Sequence, residues 1–267
     1  MKLQFLGTGA ADWPDPGERV GAGRRTASLV LDDRLMIDCG AMTEAAVREF
    51  GVDLNRLEAI IISHPHEDHF DLRTIARLAQ MRDPALPPLD VRVDAVAAAR
   101  AAAELTPDEL VRIRLQGFTP GDAFDVAGNA VRTLPANHVL ERPGELPSHF
   151  LLTTTEGRTM FYGLDGAWLL PDTWRTLQKC RLDVIVWELT CGNLADWRLW
   201  GHSNLGMLRL MADAFRFDGA IHDGTVMFCS HLARTLCPPH DIYARELKTH
   251  GFILARDGLL WSDEPTP

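Results

Sequence analysis

Four potential metal ligands lie within six consecutive residues, 64–69, which read HPHEDH. Three imidazoles and a carboxylate this close repel one another when charged, and they are costly to bury without partners. One or two divalent metal ions would remove that conflict, because such ions accept both ligand types. On an extended segment residues two apart face the same side, so His64 and His66 are expected to reach one ion together. Asp68 and His69 are displaced along the loop and suit a second ion. The alternative is a solvated histidine-rich turn.

The elements around this run indicate how it is positioned. The apolar stretch 59–63 is predicted to be a buried strand, and the chain re-enters a helix at Asp71. Three further candidate ligands each stand just past an apolar strand, namely His138, Asp165 and His231. Taken singly, each could equally hold a structural hydrogen bond. Because the same arrangement recurs after three strands, we predict that these residues supply the remaining ligands.

Composition limits the classes of function that the chain can have. The chain has 267 residues, 46% of them hydrophobic, which is enough for a sizeable core without disulfides. A net charge of -10 gives no overall basic surface for long nucleic acid or anionic lipid. The five cysteines include no CxxC pair, which is typical of a reducing compartment. The chain start has no signal-like segment and no run approaches the ~18 apolar residues of a membrane span. We therefore expect a cytoplasmic protein.

The organisation of the chain predicts one α/β domain over residues 1–267. Apolar strand patterns cluster in both halves of the sequence, with helical patterns between them and no clear linker. Asp32-Asp33 falls between two short strands and predicts a hairpin, and Thr43 is a candidate helix cap. The pattern favours two sheets covered by helices.

A family resemblance rests on motifs spread over most of the chain. The HPHEDH run is specific, whereas the others are weak singly and persuasive by their order. They are FLGTG at 5–9, MIDCG at 36–40, NH at 137–138, YGLD at 162–165 and SH at 230–231. With these motifs the chain resembles the metallo-β-lactamase superfamily.

The resemblance implies a fold and a metal site. The fold is a four-layer αβ/βα sandwich of two mixed sheets flanked by helices, with a dinuclear site between the sheets. Carried over to this chain, the implied ligands of one ion are His64, His66 and His138. Those of the other ion are Asp68, His69 and His231, and Asp165 bridges both. The ligand types accept zinc, manganese or iron, so two divalent ions are expected without a choice among these metals.

Within the superfamily the chain most resembles the phosphodiesterase branch, which includes the cyclic phosphodiesterases of phosphonate breakdown and their ribonuclease Z relatives. Arg24-Arg25 and the motif WGHSNL at 200–205 fit this branch. The resemblance places His202 at the active site. Those relatives often carry a cysteine-rich zinc site in the first loop, but residues 10–27 contain no cysteine. This departure leaves the substrate open.

The implied chemistry is attack on phosphorus by water activated between two ions, since metal binding lowers the pKa of water from ~15.7 to about 7. His202 and Asp68 are the predicted catalytic residues. His202 would protonate the leaving alkoxide or stabilise the phosphate as a cation. Its alternative is a local hydrogen bond at a helix start.

Other residues are weaker candidates. Arg24 and Arg25 could bind phosphate through their forked donors or form a solvated loop pair, and His149 could line the pocket. Asp38 could hydrogen-bond a ligand histidine or serve as a turn residue. Three tryptophans around the loop before His202 could form a wall for a base or fill the core, namely Trp187, Trp197 and Trp200.

The sequence therefore favours a metal-dependent phosphodiesterase acting on a small cyclic or nucleotide-like phosphodiester. A lactonase or thioesterase on the same site, a metabolite carrier of the same fold and a redox di-iron enzyme are alternatives. Ribonuclease Z activity is less favoured, because the chain is acidic and has no long Gly-rich basic arm. A small-molecule substrate is the expected partner, without membrane or long nucleic acid. The oligomeric state is left open, with a homodimer as one option.

Overall fold

The computed structural model of the chain describes residues 1–14 and 23–263. These residues form two compact units. The first unit comprises the described parts of Met1–Thr119, Leu140–Leu146 and Arg256–Pro267, and the second comprises Pro120–Val139 and Pro147–Ala255. The expectation of one domain over 1–267 stays a prediction.

The first unit is built on a seven-stranded mixed sheet with the strand order β14-β1-β2-β3-β4-β5-β6. Its strands are β1 (Lys2–Gly7), β2 (Ser28–Leu31), β3 (Leu35–Ile37), β4 (Ala59–Ile61), β5 (Leu89–Asp94), β6 (Ile113–Phe118) and β14 (Leu260–Ser262). Strands β3 to β6 pair in parallel, and the remaining pairs are antiparallel. Its helices are α1 (Thr43–Glu49), α2 (Leu72–Met81), α3 (Ala95–Glu104) and α4 (Pro107–Arg112).

Helix α2 shows how the sequence produces the helical layer of this unit. Asp71 caps the helix by accepting a hydrogen bond from the Thr74 amide at 2.6 Å. Ile75 and Leu78 recur at helical spacing and are buried in one core cluster with Ile60 of β4. The chain between β4 and α2 is therefore held at both of its ends, and this is the segment that contains the HPHEDH run.

The second unit has a seven-stranded mixed sheet with the strand order β13-β12-β11-β10-β9-β8-β7. Its strands are β7 (Ala123–Val126), β8 (Asn129–Pro135), β9 (Ser148–Thr154), β10 (Thr159–Gly163), β11 (Leu182–Glu188), β12 (Ile221–Ser230) and β13 (Phe252–Leu254). Strands β10 to β13 pair in parallel, and β7 to β10 pair antiparallel. Its helices are α5 (Pro171–Leu177), α6 (Leu205–Phe217) and α7 (His240–Thr249), and a 3₁₀ turn spans Trp197–Trp200.

The parallel strands of the second unit bring chemically active residues to one sheet edge. In the register, Gly163 lies opposite Trp187, and Glu188 lies opposite Ser230. Parallel strands end at the same edge of a sheet, where open α/β sheets usually bind their ligands. The residues that follow these three strand ends therefore share one edge.

The predicted α/β class, with two mixed sheets flanked by helices, is confirmed. The predicted hairpin at Asp32-Asp33 joins β2 to β3, and both aspartates have positive φ angles, as such a tight turn requires. The cap prediction for Thr43 is wrong, because Met42 occupies the N-cap position and Thr43 is already helical. Among the described residues, no helix is long and apolar enough to cross a membrane.

Candidate metal centre

In the first unit, the end of β4 brings imidazole nitrogens together. His64 and His69 are buried, with ring centroids 4.2 Å apart. The Nε2 atom of His64 lies 3.0 Å from Nδ1 of His66. Two nitrogens that share one zinc ion at ~2.0–2.1 Å would be separated by roughly 3 Å, so this spacing fits a common ion. Asp68 Oδ2 lies 3.4 Å from His69 Nε2, which makes these two atoms a second pair of donors.

The other nitrogen of each of these rings is held by a neighbouring group. His64 Nδ1 lies 3.0 Å from Ser63 Oγ, and His69 Nδ1 lies 2.9 Å from the buried Asp38 carboxylate. His66 Nε2 lies 3.1 Å from Glu141. A histidine that binds a metal usually donates its second N–H to such a partner, which fixes the ring and its tautomer. The nitrogens that face other candidate donors are Nε2 of His64 and His69 and Nδ1 of His66.

Asp38 is itself tightly fixed. It directly follows β3, which pairs in parallel with β4, and its carboxylate accepts the backbone amide of Ser63 at 2.7 Å and the Ser63 hydroxyl at 3.0 Å. Its φ of 61° is unusual for a residue other than glycine, and such conformations concentrate at functional sites. Gly40 completes the arrangement, because a Cβ atom there would lie 2.3 Å from the Asp68 carbonyl oxygen. A glycine at this position lets the HPHEDH loop lie against the β3 end.

In the second unit, Asp165 follows β10 with a φ of 52° and presents its two oxygens to different histidines. Its Oδ2 lies 3.7 Å from His138 Nε2, and its Oδ1 lies 2.9 Å from His231 Nδ1. His231 follows β12 and also has a positive φ, 57°. Asp165 thus contacts both histidines, and its predicted role as a bridge between two ions stays a prediction.

The two histidines of this unit are also held through one nitrogen. His138 Nδ1 donates to the Gly201 carbonyl at 3.1 Å. His231 Nδ1 lies 2.8 Å from the Thr190 hydroxyl, which in turn donates to the His231 carbonyl at 2.9 Å. In four of these five histidines, therefore, one nitrogen is held by a protein group and the other faces a further candidate donor, whereas Nδ1 of His231 faces both the Thr190 hydroxyl and Asp165. This donor set fits divalent metal ions of the imidazole- and carboxylate-binding type.

His202 is paired with a carboxylate that sequence reasoning missed. Its Nδ1 lies 2.9 Å from Glu188, a buried residue at the end of β11. The same carboxylate accepts the amides of Ser203 at 2.8 Å and Thr190 at 2.7 Å. Burial opposes the charging of His202, but the hydrogen bond and charge of Glu188 and the charge of Asp165 outweigh it and raise the pKa of His202. The imidazole is thereby favoured in its protonated form.

The three predicted substrate-binding residues are all buried. Arg24 donates to the Thr8 hydroxyl, and Arg25 pairs with Glu49 while its guanidinium lies 5.3 Å from the centre of the Phe50 ring. His149 is 2% exposed and packs edge-on against Phe161. Desolvation lowers the pKa of His149 to about 4, so this ring is neutral near pH 7. Their contact with a substrate stays a prediction.

Comparison with known proteins identifies the family to which the chain belongs. The family described as the β-lactamase superfamily domain matches residues 33–220. The chain belongs to this superfamily.

Individual relatives agree with this assignment. The ribonuclease Z of Streptococcus uberis is 36% identical over 75 residues, which cover 26% of this chain and 22% of that protein. The metallo-β-lactamase fold protein YhfI from Bacillus subtilis has a TM-score of 0.74 at 20% identity, over 98% of this chain and 99% of that chain. A diphosphatase of the PhnP family has the same TM-score at 16% identity, over 98% of both chains. At these identities the two solved structures show a common fold.

The predicted superfamily is therefore confirmed, and its signature run is positioned by β4 as the sequence indicated. The roles of individual site residues stay predictions. Glu188 could have been found from the sequence, because it is an acidic residue at the end of a strand whose other residues are apolar except Asp183. Its link to His202, 14 residues further along, was not encoded in any local pattern.

Proposed function

We propose that this member of the β-lactamase superfamily is a metal-dependent hydrolase, and specifically a phosphodiesterase acting on a small cyclic or nucleotide-like phosphodiester. The observation that carries the proposal is the Glu188–His202 pair beside a carboxylate and imidazoles suited to metal ions. A leaving alkoxide needs a proton, and this pair is built to supply one.

The proposed metal ligands follow the family resemblance. His64, His66 and His138 would hold one ion, Asp68, His69 and His231 would hold the other, and Asp165 would bridge them. Bound ions of this kind activate water near neutral pH and offset charge on the non-bridging phosphate oxygens.

The protein's own side chains have distinct tasks in this proposal. Asp38 and Thr190 keep the proton of His69 and His231 on Nδ1, so that Nε2 offers its lone pair. Glu188 favours the protonated form of His202 and holds its Nδ1, which leaves Nε2–H for the leaving oxygen. Once the proton has been transferred, the carboxylate still holds the neutral ring in place through Nδ1. Asp68 would bind a metal ion, and its carboxylate lies next to His69 Nε2, where we propose that it also takes part in catalysis.

The alternative lactonase and thioesterase activities would use the same donor set but act on an acyl carbon instead of phosphorus, and they differ from each other in the leaving group. A thiolate leaves readily without a proton, so a thioesterase would have little need of the Glu188–His202 pair. This pair therefore favours substrates whose leaving group is an alkoxide.

The test is a screen of the metal-reconstituted protein against phosphodiesters, including five-membered cyclic phosphates, with lactones and thioesters alongside. We expect turnover of phosphodiesters with zinc or manganese. His202→Ala is expected to keep both ions and lose most of that turnover, by about 10²–10⁴-fold for a general acid. His222→Ala is the matched control, because His222 lies on β12 and bonds its own turn through Gly224. Full activity of His202→Ala would remove this residue from the mechanism, and turnover of lactones or thioesters alone would replace the proposed reaction.

A further inference from the structure

Three of the seven tryptophans are unusually exposed, and they lie on two loops next to the proposed catalytic residues. Trp168 is 45% exposed, Trp197 70% and Trp200 52%. Trp187, which sequence reasoning grouped with the last two, is 2% exposed and belongs to the core. Large indole rings are mostly buried in proteins, so several exposed ones in neighbouring segments call for a binding partner.

The loop that carries Trp197 and Trp200 is fixed rather than loosely attached. Asp196 caps the 3₁₀ turn by accepting the Arg198 amide at 2.9 Å. The amides of Gly201 and His202 both bond the Arg198 carbonyl at 2.9 Å. The Gly201 carbonyl, one residue past Trp200, is the acceptor that orients His138. The two indoles are therefore held on the same short segment as His202.

The loop that carries Trp168 is tied to this segment. Trp168 stands three residues after Asp165. The Ser203 hydroxyl, next to His202, donates to the Gly166 carbonyl at 2.9 Å. The Ala167 amide bonds the Asn137 carbonyl at 3.2 Å, next to His138. Because both loops are pinned, little conformational entropy would be lost when a flat ligand contacts their indoles.

A positively charged side chain lies beside one of the exposed rings, that of Trp197. The Arg198 guanidinium lies 5.2 Å from the centre of the Trp197 ring and 3.2 Å from the Asp196 carboxylate. A guanidinium beside the Trp197 face suits a ligand that combines a planar ring with an anionic group. An aliphatic phosphodiester would use the cation but not the rings.

We propose that Trp168, Trp197 and Trp200 form an aromatic platform that stacks the planar ring of the substrate, so that the preferred phosphodiesters carry a nucleobase or a similar aromatic ring. The inference rests on the proposed function for its reaction, and it adds the residues that set the substrate class.

The kinetic test uses two five-membered cyclic phosphodiesters with alkoxide leaving groups, adenosine 2′,3′-cyclic phosphate with a base and glycerol 1,2-cyclic phosphate without one. The double variant Trp197→Ala/Trp200→Ala is expected to lower the ratio of kcat/KM for the base-bearing to the base-free substrate by about tenfold, mainly through KM. Phe217→Ala is the control, because Phe217 is 93% exposed at the end of α6 and should leave the ratio unchanged. An unchanged ratio in the double variant would overturn the platform.

A binding test separates the platform from the proposed reaction. Adenosine 5′-monophosphate is titrated into the metal-free protein while indole fluorescence is recorded. We expect quenching in the wild type and about tenfold weaker binding in the double variant. If neither cyclic ester is hydrolysed but quenching follows this pattern, the platform stands and the proposed reaction fails. If the double variant binds the nucleotide normally but changes from dimer to monomer in sedimentation, the indoles form a contact between two copies and the platform is refuted.

Discussion

Replacing Asp38 by asparagine should weaken the binding of one of the two metal ions and leave the binding of the other unchanged. The change keeps the size of the side chain, and asparagine tolerates the left-handed backbone conformation at φ 61° as aspartate does. The buried carboxylate accepts three hydrogen bonds, two from Ser63 and one from His69 Nδ1. An amide has one oxygen, and the orientation that keeps it on the Ser63 amide turns the NH₂ group toward His69.

This reversal would force His69 into the wrong tautomer. Nδ1 would have to accept a hydrogen bond, so the ring proton would move to Nε2, where the ion should bind. The loss of one charge-assisted hydrogen bond is worth about 1.5–3 kcal/mol, which corresponds to roughly 10–100-fold in affinity. Loss of such an orienting partner typically reduces metal affinity by the same factor of about 10–100.

The assay is titration of zinc and manganese into metal-free protein by calorimetry, with a chelating dye as competitor for tight binding. Asp33→Asn is a matched control, since Asp33 has the same φ of 61° but contacts Lys2 and Arg56 at the β2–β3 turn. We expect two sites in both variants, with one of them weakened 10–100-fold only in Asp38→Asn. Two ions bound with wild-type affinity in Asp38→Asn would refute the reasoning about the tautomer.

Three further changes test other parts of the site. Glu188→Gln should reduce kcat by about 10–100-fold with both ions retained, because the imidazolium of His202 loses its charged partner. Glu156→Gln in the exposed β9–β10 turn is the control. An unchanged kcat in Glu188→Gln would contradict the role of Glu188 as the partner of His202. Asp165→Ala should weaken both ions in metal titrations while the exposed Asp172→Ala does not, and two tightly held ions in Asp165→Ala would exclude a bridge. Gly40→Ala should lower the free energy of unfolding by about 1–3 kcal/mol in urea titrations and weaken metal binding, because the new Cβ would displace the Asp68 backbone. Unchanged stability and metal affinity would show that the loop can relax.

The positions of the candidate metal ligands could be predicted from sequence because strand ends and ligand types are local information. A run of isoleucines followed by HPHEDH gives both the strand and its loop. Likewise, His138, Asp165 and His231 each follow a strand that apolar residues reveal on their own. The order of these residues along the chain matches the order of the family motifs.

What could not be predicted depends on contacts between distant segments. Strand β14 pairs with β1 at the opposite end of the chain, and no local pattern indicates that partner. Strand β5 follows a proline-rich break and carries three charged residues, which hides its apolar positions. The pairing of Glu188 with His202 and the tethering of each ligand histidine depend on side-chain geometry that only the folded chain provides.

We propose that each candidate-ligand histidine binds a metal ion through one nitrogen while a protein group holds the other. Anomalous diffraction at the zinc absorption edge from crystals of zinc-loaded protein tests it most directly. We expect two zinc peaks per chain, bound by Nε2 of His64, His69, His138 and His231 and by Nδ1 of His66, with Asp165 between them. Zinc bound through the tethered nitrogens, or no zinc at these residues under saturating metal, would contradict it.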